Sequence, residues 1–158
     1  MATPLELSQR LRTAVELELA ELIRIDDAHA AVKTGAAWSP KEELGHLIDS
    51  AANNHDRIVR AALDGQFNGQ GYAQDDWVRL HAYQELPWTE LTGLWSAFNR
   101  LIATVVARIP ADRMAAECRI GEGAPHTLEY VIDDYILHMQ HHLDHILGRP
   151  SVRRYPRA

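Results

Sequence analysis

One cysteine, Cys118, occurs among 158 residues, which excludes an intrachain disulfide and any fold held together by paired cysteines. Long apolar runs are missing as well. The longest, from Leu101 to Ile109, is broken by Thr104 and Arg108 and falls far short of the ~20 residues that span a bilayer, so no membrane association is expected. Met1 to Arg10 lack the basic, apolar, small-residue order of a secretory signal, and a cytoplasmic location is the expectation. Nor is there a block of basic charge. Sixteen Lys and Arg stand against 22 Asp and Glu, for a net charge of −6, with both signs interspersed, which argues against nucleic acid as a partner. The one basic cluster, Arg149, Arg153, Arg154 and Arg157, lies beside Pro150 and Pro156, and residues 150–158 are expected to form a flexible tail. Strand alternation is confined to one short candidate, Ala116 to Ile120.

Helical periodicity fills most of what remains. At this length a single domain over residues 1–149 can bury a core without staples. Leu5, Leu7, Leu11, Val15, Leu19, Leu22 and Ile23 recur at helical spacing and predict a first helix from Pro4 to about Lys33, with Gly35 just past its end. Ser39-Pro40-Lys41-Glu42 announces a second: serine as N-cap, proline at the first helical position, and glutamate three residues after the cap to complete a capping box. It runs to about Leu63 and stops before Gly65. Leu91, Leu94, Trp95, Phe98, Leu101, Ile102, Val105 and Ile109 predict a third helix from near Pro87, ended by Pro110. The fourth runs from about Thr127 to Gly148. Between the second and third, glycines 65, 69 and 71 and the run Tyr72 to Trp77 read as a long connection carrying a short helix from Asp75 to Tyr83. The predicted fold class is all-α, a four-helix bundle with that long crossover connection.

Four of the nine histidines fall in one stretch of the last helix, His138-Met139-Gln140-His141-His142-Leu143-Asp144-His145. His138 and His142 are four apart, so one helical face can aim both rings at one ion. Leu128, Val131, Ile132, Tyr135, Met139, Leu143 and Ile146 form the buried stripe of this helix, with His142 at its edge and His141 and His145 further round on the polar side. Two rings do not make a tight site; a further ligand has to come from elsewhere. The second helix offers two. His55 lies on the apolar stripe with Leu44, Leu47, Ile48, Ala51 and Ile58, whereas His46 shares a polar face with Ser50, Asn53 and Arg57. That face is either solvated or the wall of a wet pocket, and periodicity alone favours the solvated reading.

Trp38-Ser39-Pro40-Lys41-Glu42-Glu43-Leu44-Gly45-His46-Leu47-Ile48-Asp49-Ser50, followed about ninety residues later by Tyr135 to Ile146, resembles the DinB/YfiT-like superfamily. The Tyr72 to Trp77 connection shares in the similarity, which covers nearly the whole chain. The resemblance implies a four-helix bundle that holds a divalent metal, zinc, nickel or manganese, through one histidine of the second helix and the paired histidines of the fourth. Carried over residue by residue, it implies His46, His138 and His142, and so selects His46 over His55 against the periodicity. His145 departs from the pattern, standing where relatives often carry glutamine.

Three neutral imidazoles would leave an ion with open positions, as in catalytic sites. Asp134, one turn before His138, and Asp49, near His46, are candidates to orient the ligating rings; Asp75 and Asp76 are weaker candidates for a general base. Cys118 has no nucleophile motif around it and reads as an inert thiol. The resemblance implies a metal-dependent enzyme acting on a small molecule, either a hydrolase or a transferase or isomerase of a low-molecular-weight thiol. No clear basic cluster marks a site for an acidic thiol cofactor, although Arg57 and Arg60 are within reach of the His46 face. The alternative is a non-catalytic, stress-associated metal-binding bundle. Relatives often pair, and a homodimer is compatible with either reading.

Overall fold

A computed structural model describes residues 1–151. Arg153, Arg154 and Arg157, with most of the expected tail, lie outside the described residues. Four long helices form the bundle: α1 (Pro4–Leu22), α3 (Pro40–Asp64), α5 (Trp88–Val106) and α6 (Leu128–Ile146). The short helices α2 (Asp27–Ala30) and α4 (Gln74–His81) lie in the connections. Helix α1 packs mainly on α5, while α3 packs on both α5 and α6. The core they enclose includes Leu7, Leu11, Leu44, Leu47, Ile58, Trp95, Ile132 and Met139, all but sealed from solvent. Trp88 and Trp95 are core residues, not surface aromatics. No helix among the described residues is long and apolar enough to cross a membrane.

Each long helix starts where its sequence signal stands. The Ser39 hydroxyl accepts from the Glu42 amide at 3.2 Å and the Glu42 carboxylate accepts from the Ser39 amide at 2.9 Å, a complete capping box ahead of Pro40. Thr127 caps α6 through the Tyr130 amide. At the far end of α3, Gly65 adopts φ 77°, a left-handed conformation that releases the chain from the helix at little steric cost.

The first helix is shorter than the periodicity predicts. It ends at Leu22, not near Lys33, and a separate turn, α2, begins after Asp26. The interruption has a physical cause in two acids. Asp26 caps α2 through the His29 amide. The Asp27 carboxylate accepts from the backbone amide of Trp88 at 2.8 Å and from Lys41 Nζ at 3.0 Å, so it supplies a cap to α5, whose own N-cap is a proline with no side-chain acceptor. Leu94 and Leu101, placed on the α5 core stripe by spacing, are half exposed.

Strand alternation at Ala116 to Ile120 corresponds to β2 (Glu117–Ile120), which pairs in parallel with β1 (Gln66–Gly69) and antiparallel with β3 (His126–Thr127). The pairing Gln66 with Glu117 through Gly69 with Ile120 ties the exit of α3 to the entry of α6. This small sheet, unlike β2 itself, is not signalled by the sequence, because a two-residue strand and a glycine-ended one carry no periodicity.

Candidate metal centre

His46 lies in the second turn of α3, and His138 and His142 lie one turn apart on α6. Packing of α3 against α6 brings the three rings together, with centroids 5.2 Å apart for His46 and His138, 4.7 Å for His46 and His142, and 4.6 Å for His138 and His142. One nitrogen from each ring falls within 4.8 Å of the others. The solvated reading of the His46 face is therefore overturned: His46 is fully buried, and Ser50 and Arg57 on the same face are buried with it. His55 does not approach the cluster. It sits half-buried against the Phe98 ring at 5.5 Å.

Burial, reinforced by neighbouring imidazoles, pushes His46 down to about 3 and His138 down to about 3. Both rings are neutral near pH 7, the form that ligates metal. Their Nε2 atoms meet at 3.3 Å. Two ligands on a tetrahedral ion with bonds of about 2.0–2.1 Å would sit roughly 3.4 Å apart, so the spacing suits a shared cation as well as it suits an N–H to N hydrogen bond. His142 is oriented from behind. Its Nδ1 contacts Glu43 Oε1 at 2.8 Å, and because a carboxylate only accepts, that nitrogen is the donor and Nε2 is the one left to turn toward an ion. The donor set of three imidazole nitrogens fits a divalent ion.

Glu43 escapes a reading by sequence alone. Three residues before His46 in the first turn of α3, it looks like one more acid favoured by the helix dipole, yet it is only 5% exposed. Its two oxygens also hold His145 Nδ1, at 2.8 and 2.6 Å. His145 is thus a partner of the carboxylate that orients His142. The available signal was the three-residue spacing to His46, which places both on one helical face. Trp38, the first residue of the family-like motif, lies with its ring 5.0 Å from His46, a contact that appears only in space.

Asp49 does not orient His46. It accepts from the Tyr83 hydroxyl at 2.6 Å and lies 3.0 Å from His81 Nδ1, while His46 Nδ1 has no hydrogen-bond partner among the described residues. Burial raises the Asp49 carboxyl above its ordinary value. Asp75 and Asp76 lie exposed on α4, with Asp76 paired to Arg79 at 2.6 Å, so neither faces the histidines as a base. Cys118 is buried in β2 and its thiol is pushed up to about 11, chiefly by that burial; it is neutral and inert at pH 7.

An open cavity of about 350 Å³ reaches the cluster through His138. Asn54 and Arg57 of α3, Tyr72 of the connection, and Asp134 of α6 line it, and the sheet closes it with Ile120 and His126. Burial pushes the Tyr72 hydroxyl up to about 12. A larger cavity, about 480 Å³, lies beyond Arg57 and includes none of the three histidines. Asp134 thus faces the cavity that His138 faces.

Comparison with known proteins agrees with this fold. The sequence model of the DinB superfamily matches residues 8–146. The structure of YfiT from Bacillus subtilis, described as a probable metal-dependent hydrolase with an unusual four-helix bundle topology, superposes with a TM-score of 0.78 at 17% identity, covering 90% of this chain and 82% of that one. No protein with a curated description matches.

Proposed function

The chain belongs to the DinB superfamily, and from that premise we propose that it is a metal-dependent hydrolase of small molecules, with His46, His138 and His142 as the ligands of one divalent ion. The observation that carries this reading is the convergence of three imidazoles, one of which, His138, lines a cavity open to solvent. A structural site would be closed, whereas three protein ligands leave room for water or substrate.

When bound, such an ion would supply Lewis-acid activation of water or of a substrate carbonyl near neutral pH. The chain's own groups divide the remaining work. Glu43 fixes the tautomer and angle of His142, with His145 sharing the same carboxylate. Asp134, on the cavity wall one helical turn before His138, is the carboxylate placed to take a proton from the attacking water. Trp38 covers His46 and keeps bulk water from that side. Tyr72, protonated at neutral pH, presents a neutral hydroxyl beside the substrate space.

Cobalt-substituted protein tests the open site. Azide should change the cobalt absorption spectrum, and the zinc-loaded protein should hydrolyse members of a panel of small esters, amides and lactones, with Asp134→Asn lowering the rate by about 10²-fold or more. A spectrum indifferent to azide, together with no hydrolysis, would refute the proposal. A sulfur-to-cobalt charge-transfer band on adding a thiol, without hydrolysis, would replace the hydrolase by a thiol transferase.

A further inference from the structure

Among the described residues, Arg57 is a buried charged side chain without a charge partner. It is 9% exposed, and buried arginines are nearly always paired, because an uncompensated interior charge is expensive. Among the described residues no carboxylate lies within ion-pair distance of it. Its sequence neighbour Asp56 is taken by Arg60 at 2.8 Å. Burial pulls the guanidinium below its ordinary value, though arginine remains charged at any physiological pH. Arg57 lines the cavity that His138 also lines, as well as the larger one beyond it, so on the His138 side it offers a cation to the proposed substrate space.

Helix geometry sets the distance. His46, Ser50, Asn54 and Arg57 follow one another along a single face of α3, and the eleven helical steps from His46 to Arg57 span roughly 16 Å of axis. Long helical side chains lean toward the N-terminus, which carries the guanidinium back toward the histidines. A small molecule held at Arg57 can therefore extend to His138 within one cavity. Among the described residues lining that cavity Arg57 is the sole Lys or Arg. One planar fork of donors suits a singly charged carboxylate better than a phosphate dianion, which gathers several cations.

We propose that the cavity recognises a carboxylate-bearing small molecule, gripped by Arg57 in a two-pronged hydrogen-bonded pair that points the rest of the molecule at His138. The second half of this statement rests on the hydrolase reading; recognition of the carboxylate does not.

Succinate, glutarate and adipate, with their uncharged diamides, are the probes. Arginine Nε–H resonances of the labelled full-length protein are followed by NMR, with that of Arg57 assigned by its loss in Arg57→Lys. In both metal-free and zinc-loaded protein, at least one dicarboxylate should shift the Arg57 resonance saturably, and its diamide should not. Arg57→Gln should weaken that dicarboxylate by about tenfold or more. Unmoved Arg57 with all three acids, equal shifts with acid and diamide, or unchanged affinity in Arg57→Gln would each overturn the proposal. Tighter binding of inorganic phosphate than of every dicarboxylate would overturn the choice of carboxylate. The wild-type titration reads the contact directly, so the outcome stands even where a variant fails to fold. Carboxylate binding without hydrolysis would leave this inference in place and remove the hydrolase.

Discussion

At the scale of single residues, the site is defined by which side chains are kept neutral and which are held in place. His46 and His138 resist protonation because their surroundings are dry and already hold other imidazoles. That resistance has a cost in acid. Unfolded histidine takes a proton near 6.5, whereas these two rings hold out to about 3. Between those values the unfolded chain binds more protons, so stability falls as pH falls from about 6.5 toward 3. For the metal-free protein the urea midpoint should drop across this window, each histidine adding at most about 1.4 kcal/mol per pH unit. His46→Asn should remove close to half of the histidine part of that slope. Equal slopes in wild type and variant would show that His46 is not the group resisting protonation. Of these residue-scale facts, the sequence carried the spacing of His138 and His142, and the family resemblance carried His46. The Glu43 bridge was not legible, because a carboxylate in the first turn of a helix looks alike whether it faces water or two imidazoles.

At the scale of elements, the connection between α3 and α5 is pinned to the helix that carries His46. Gly45, beside that histidine, is where the pinning is closest. A Cβ there would lie 2.1 Å from Tyr83 Cδ2, so the missing side chain is what allows the Tyr83 ring to lie on α3 and its hydroxyl to reach Asp49. Gly45→Ala is expected to destabilise the protein by about 1–3 kcal/mol, the usual range for forcing extra atoms into a packed contact, despite alanine's better helix propensity. Thermal unfolding checks this, and a variant as stable as wild type would contradict the close packing. Helix starts were legible because caps are local chemistry: Ser39, Pro40 and Glu42 need only one another. The early end of α1 was not, since Asp27 serves the amide of Trp88, sixty-one residues away. The end of α3 at Gly65 was legible for the opposite reason, the signal and its use being the same residue.

At the scale of the whole molecule, the bundle supplies the histidines and the connections supply the cavity. Helices α3 and α6 face each other because both bury apolar stripes, and the polar edge of each stripe becomes the inside of the site. The sheet links the exit of α3 to the entry of α6 and closes the cavity with Ile120 and His126. Periodicity could assign His46, Ser50 and Arg57 to one polar face but could not say that the face is covered. Coverage comes from Tyr72 and the sheet, which are distant in sequence and too irregular to predict. The central claim is that one divalent ion is held jointly by α3 and α6, and metal content measures it most directly. Wild-type protein equilibrated with zinc and then desalted should retain close to one ion per chain, while His46→Ala, His138→Ala and His142→Ala should each lose most of it and His55→Ala should lose none. Full retention in the three variants, or loss in His55→Ala alone, would contradict it.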